Sequence, residues 1–312
     1  MPRSTSIAST QRIAALLLLA AGAAASAQPT TTAPKADAPA QPLAPFAQEI
    51  PVAAFKIDML PVPASLDGKI KPFYMSKTEL TWEAFDVFIY RLDEEANKAP
   101  KGADAVTRPS KPYLPPDRGF GHEHFAAISM SHKNATEFCK WLSAATGRTY
   151  RLATEAEWEW AARANPDGKP SDKPTGTAVP EGSQLADCAW LESNSKDSPQ
   201  KVGSKKPNAL GLVDMLGNVA EWVDGTDGKP ATKGGSFRDS ADKLTVTGRA
   251  PLDKAWNSSD PQVPKSKWWL ADAPFVGFRI VCEATPPAAA KPADTKPTTT
   301  TPTTPAEPEK KP

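Results

Sequence analysis

Apolar positions recur at two spacings along this chain, and the spacing assigns the regular elements. Phe85, Phe88, Ile89 and Leu92 fall at i, i+3, i+4 and i+7, so Trp82 to Leu92 reads as one helix with Thr81 at its N-cap. Ala135, Phe138, Cys139, Leu142 and Ala145 repeat that spacing. They predict a second helix, capped by Ser131, running to about Thr146 and stopped by Gly147. Thr154 with Glu157 makes a capping box, and Trp158, Ala161 and Ala162 form the inward face of a third helix. Val52 to Leu60 and Phe73 to Leu80 read as strands joined by a turn around Asp67-Gly68, and Phe125 to Met130 as a shorter strand. Pro100 to Gly121 is irregular, and from Pro166 onward the pattern thins into short apolar runs between glycines. The fold class is therefore α+β, with much irregular structure.

The two ends lack any such pattern. Arg3 and Arg12 precede an apolar run from Ile13 to Ala25 that closes on Ala25-Ser26-Ala27, so residues 1–27 read as a signal peptide. The run is too short and alanine-rich to span a bilayer comfortably, an uncleaved anchor being the alternative, and no other stretch is long and apolar enough to do so. Residues 28–49 are a Pro/Ala/Thr linker and 285–312 a Pro/Thr-rich tail. Neither buries enough apolar surface to offset the entropy of ordering, and both are expected to be disordered. That leaves residues 50–284 as a single domain, large enough to bury about 70–75% of its extended-chain surface. The expected location is exported: periplasmic, cell-surface or secreted.

Composition narrows the partners. The net charge is +1 with acids and bases interspersed, and no basic stripe argues for nucleic acid. Cysteine occurs only at Cys139, Cys188 and Cys282, and in an exported chain that suggests one disulfide and one odd thiol.

One stretch is more specific than the rest: Asn208-Ala-Leu-Gly-Leu-Val-Asp-Met-Leu-Gly-Asn-Val-Ala-Glu-Trp222, followed by Gly234-Gly235-Ser236-Phe237-Arg238 and closing on Gly277-Phe278-Arg279. With Arg151-Leu-Ala-Thr-Glu-Ala-Glu-Trp158-Glu it resembles the sulfatase-modifying-factor family, whose named member is the formylglycine-generating enzyme. The resemblance covers about Ile50 to Val281, with the motifs in order. It implies a formylglycine-generating-enzyme-like domain, a C-type-lectin-like variant with little regular structure.

The resemblance also implies sites. The family's oxidase holds copper with two thiolates, three and eight residues after the serine that Ser236 matches. Here those slots hold Asp239 and Leu244. Soft thiolates select Cu(I); a hard carboxylate and a leucine do not. Copper is not expected, and no catalytic residue is assigned. Asn218 and Glu221 match the family's calcium ligands, with bonding to loop backbone as the alternative. Cys139 and Cys282 lie on the elements that carry the family's structural disulfide, although Cys282 is displaced by two residues; two buried free thiols are the alternative. Cys188 reads as packing. His122-Glu-His124 lacks an identifiable third ligand, so these histidines and His132 read as loop residues. Ser236, Asp239, Trp222 and Arg249 mark the equivalent of the family's substrate cleft. Trp222 and Arg279 read as core, while the Trp268-Trp269 pair is open between core and surface.

These readings favour a non-catalytic domain that binds a protein, peptide or glycan through that cleft. The alternatives are a formylglycine-generating-type oxidoreductase acting on protein cysteines and a structural envelope protein.

Overall fold

The structure, a computed structural model, describes residues 43–94, 107–109 and 115–284. The predicted leader (1–27) and tail (285–312) lie outside the described residues. In chain order the elements are β1 (Phe46–Glu49), β2 (Lys56–Val62), β3 (Phe73–Ser76), α1 (Trp82–Ile89), α2 (His132–Thr146), β4 (Tyr150–Arg151), α3 (Glu155–Arg163) and α4 (Leu185–Cys188). There follow α5 (Glu192–Ser195), β5 (Ala220–Asp224), β6 (Pro230–Lys233), β7 (Arg249–Pro251), β8 (Val276–Gly277) and β9 (Val281–Glu283). Two curled sheets result, ordered β1-β2-β3-β9-β4 and β7-β6-β5-β8.

β1 corrects the expected boundary. Residues 46–49 fall inside the predicted linker, yet Phe46 to Glu49 pair with Met59 to Lys56. The strand was hidden because its alternation is only four residues long and follows a proline-rich run. Phe46 supplies the missing anchor, its ring edge-on to Tyr74 at 4.8 Å between centroids. The compact unit begins at Leu43. β9 inserts between β3 and β4, so the last strand locks the first elements together.

α1 stops at Ile89, three residues short of the predicted end. Arg91 takes φ +55°, turning the chain, so Leu92 is 56% exposed instead of completing the apolar face. Thr81 has extended backbone at the N-cap but makes no side-chain cap bond. α2 matches its prediction: Ser131 accepts from the Asn134 N–H and Gly147 ends the helix at φ +72°. Ala145 is exposed, however, because it sits on the last turn, beyond the core. α3 has the full capping box, and Arg151 grips Glu157 with two hydrogen bonds of 2.7 Å. Phe125 to Met130 is not a strand but a line of isolated bridges, from Thr81 to Ala126, Phe125 to Lys201 and Met130 to Trp269.

The core has two apolar clusters. One is aromatic, with Phe85 meeting Phe138 and Phe278, each at 5.7 Å. The other packs Trp158, Leu212, Leu216 and Leu244 beside α3 and β5.

Candidate functional site

The Gly-Asn-Val-Ala-Glu-Trp segment is a knot of tight backbone. Asp214, Gly217 and Asn218 have φ of +56°, +76° and +51°. At Gly217 a Cβ would stand 2.1 Å from the Trp190 carbonyl oxygen, so only glycine passes. This backbone sets the direction of the next residues. Glu221 reaches a core point where Arg279 Nε and Nη2 donate at 2.6 and 2.7 Å and the Trp158 indole donates at 2.7 Å. Arg279 also donates to the carbonyls of Ser76, Val213 and Asp214, and both charged side chains are 1% exposed. The guanidinium thus staples β3, the signature loop and β5.

The two expected calcium ligands are both engaged within the protein in this structure. Both Glu221 oxygens are taken by Arg279. Asn218 Oδ1 accepts from the Gln200 N–H at 2.9 Å and its Nδ2 donates to Glu79 at 3.1 Å. A Ca2+ ion would have to displace Arg279 and leave a cation stranded in the core, so the donor set does not fit. Sequence alone could not show that a distant arginine pairs with the Glu221 carboxylate.

Two more carboxyls, which the sequence reading passed over, lie beside this pair. Burial raises Glu79 well above its usual range, with Asp214 and Glu221 adding repulsion. Burial raises Asp214 to about 6, against the Gly203 N–H and Arg279, which pull it down. Glu79 Oε2 and Asp214 Oδ1 have no partner. Their signal was present, since Glu79 stands in the Thr78-Glu-Leu-Thr81 run and Asp214 in the signature.

Beyond β6 and β7 lies a cavity of about 440 Å3, with Asp239, Asp242, Lys243, Arg249, Trp256 and Phe275 in its lining. Of the four expected cleft residues, Asp239 and Arg249 reach it. Ser236 and Trp222 do not: each is 1% exposed and works from behind the wall. The Ser236 N–H and O–H both donate to Asp239 Oδ2, at 2.8 and 2.9 Å, fixing that side chain at the rim. The Trp222 indole donates to the Met130 carbonyl, and its ring supports Trp256 at 5.7 Å. Arg249 is held by Glu155 at 3.2 Å and Asp227 at 2.9 Å. Behind it, Lys233, fully buried, pairs with Glu159 at 2.7 Å. Asp242, Lys243, Trp256 and Phe275 were not anticipated. Trp256, alone in a polar stretch, was the available clue.

The copper slots do not fit copper. Leu244 is fully buried, and a Cβ on Gly217 or Gly235 would lie 3.1 or 3.3 Å from its methyls. It fills the space as core. Asp239 is a hard oxygen ligand already bonded to Ser236.

The remaining candidates resolve into structure. Cys139, Cys188 and Cys282 are all free and buried, so the disulfide expected between Cys139 and Cys282 is not made here. Burial pushes all three thiols up, which keeps them protonated and unreactive. His122 stacks on Trp82 and pairs with Asp86 at 3.0 Å, whereas His124 turns to Glu83 at 3.3 Å, so the two imidazoles serve different partners. Trp268 and Trp269 are both buried, which settles that pair as core.

Over 151 residues the chain is 29% identical to the chaperone protein LppX of Paenibacillus barcinonensis, covering 44% of this chain and 51% of that protein. Over 203 residues it is 26% identical to the inactive C-alpha-formylglycine-generating enzyme 2 of Bos taurus, covering 56% of this chain and 61% of that one. The chain thus spans between half and two thirds of these relatives' lengths. Among solved structures, Treponema denticola variable protein 1 superposes with a TM-score of 0.53 at 22% identity, covering 77% of this chain and 99% of that one, and shares the fold. No helix among the described residues is long and apolar enough to cross a membrane. The sulfatase-modifying factor enzyme 1-like domain model matches residues 6–284, and the chain belongs to that family.

Proposed function

We propose that this chain is a non-catalytic member of its family that binds a ligand in the cavity beside Asp239 and Arg249. The observation that carries the reading is the fate of the copper slots. Leu244 has become core and Asp239 is tied to Ser236, while the cavity next to them persists at about 440 Å3. A site that has lost its metal donors but kept its concavity retains recognition without the oxidation chemistry. The inactive bovine relative is named accordingly. The charged start, apolar run and Ala-Ser-Ala end of residues 1–27 support export. The chaperone relative favours a second reading, in which the ligand is a protein segment.

The test is direct. Purified chain is titrated with Cu(I) and incubated with a cysteine-containing sulfatase-motif peptide. The expected result is no stoichiometric copper uptake and no aldehyde by mass spectrometry. Turnover with added copper would establish the oxidoreductase instead.

A further inference from the structure

We infer that the ligand of this cavity is a neutral carbohydrate; the inference rests on the cavity being the binding site, as proposed above. A hexose presents two kinds of surface. One is an apolar face of C–H bonds, and the other is a rim of hydroxyls that both donate and accept. The cavity presents the complement of each.

The apolar part comes from Trp256 and Phe275, set edge to face at 5.6 Å. Trp256 is held from behind by buried Trp222 and from its own backbone by the Asp272 N–H, which donates to its carbonyl at 2.9 Å. A rigid, half-buried ring of this kind is a platform for a flat apolar face and loses little entropy on binding.

The polar part comes from side chains with unspent hydrogen-bonding capacity. Asp239 commits Oδ2 to Ser236, while its Oδ1 has only a long 4.0 Å approach from Lys243. Asp242 is exposed and accepts a hydrogen bond from the Ser240 side chain, which still leaves its carboxylate further acceptor capacity. Arg249 commits Nε to Glu155 and Nη2 to Asp227, which locks the guanidinium plane and leaves Nη1 as a donor. Fixed donors and acceptors around an aromatic floor suit hydroxyls, each of which can be paired both ways.

Charge excludes the main alternatives. Arg249 is already paired with Glu155 and Asp227, and Lys243 faces the carboxylates Asp239 and Asp242, so the lining offers no unpaired cluster of cations to an anion. An extended peptide would need a free row of backbone groups. The edge strand beside the cavity is β7, three residues long and ending in Pro251, which has no N–H to offer. The volume of about 440 Å3 falls within the roughly 300–1,000 Å3 of small-molecule sites.

The test uses the full chain on two surfaces: immobilised neutral oligosaccharides of glucose, galactose, mannose and N-acetylglucosamine, and an immobilised random peptide library. Retention on at least one sugar is expected, weakened about tenfold by Trp256→Ala and by Asp242→Ala, and competed by the free sugar. Asp242 is exposed, so its variant remains informative even where Trp256→Ala fails to fold. Binding only to peptides, with the same sensitivity, would overturn the carbohydrate inference and leave the cavity as the site. Sugar binding indifferent to both changes would place the site elsewhere, and binding to neither surface would overturn both readings.

Discussion

At the scale of single residues, one fully buried ion pair ties the signature loop to the core. Glu221 and Arg279 hold each other with two hydrogen bonds of 2.6 and 2.7 Å at 1% exposure. Removing one partner strands the other charge. Glu221→Gln should therefore cost about 3–5 kcal/mol in urea unfolding. The loss should be equal in calcium and in chelator, because the carboxylate serves arginine; a loss seen only in calcium would restore the ion-ligand reading. The neighbouring Asp214 gives a pH signature. Its folded value of about 6 stands above its ordinary 3.8, so the folded state holds the proton to higher pH than the unfolded chain. That contribution to stability is complete below the ordinary value and is lost as pH rises through 6. Melting temperature followed from pH 4 to 7 should fall less steeply in Asp214→Asn than in the parent; identical slopes would show that Asp214 ionises freely in the fold.

At the scale of elements, cap chemistry was legible and edges were not. Ser131, Gly147 and the Thr154–Glu157 box are local devices, since their partners lie within four residues, and each does what its spacing predicts. β1 depends on its pairing with Lys56 to Met59 and on Tyr74 and Tyr150, which no local pattern announces. Its contribution can be measured. A chain beginning at residue 50 should be less stable than one beginning at 43 by about 2 kcal/mol, the scale of burying one aromatic side chain. Equal denaturation midpoints would mean that β1 is a passive extension. The same contrast explains α1, whose apolar period continues to Leu92 although Arg91 turns the backbone away at φ +55°.

At the scale of the whole molecule, two apolar clusters are closed by a last strand, β9, laid between β3 and β4. The three thiols are distributed through this interior. A thiol reagent should find none of them in the native chain and all three together at the unfolding transition; a Cys139–Cys282 disulfide would instead leave one reactive thiol under non-reducing conditions. The sequence by itself determined the family, the α+β class, the caps of α2 and α3, the absence of cysteine at the slots held by Asp239 and Leu244, and the core placement of Trp222 and Arg279. These are readable because they rest on residue identity or on spacings shorter than a helical turn. Only the tertiary structure decided that Glu221 belongs to Arg279, that Ser236 supports the cavity wall without lining it, and that Trp256 and Phe275 form its floor. Glu221 and Arg279 lie 58 positions apart and Trp256 meets Trp222 and Phe275 from a separate loop, while Ser236 and Asp239, only three apart, take opposite sides of the wall because of the packing behind them. A carboxylate, a serine or a tryptophan carries no mark of its partner until the backbone has brought that partner within a hydrogen bond's length.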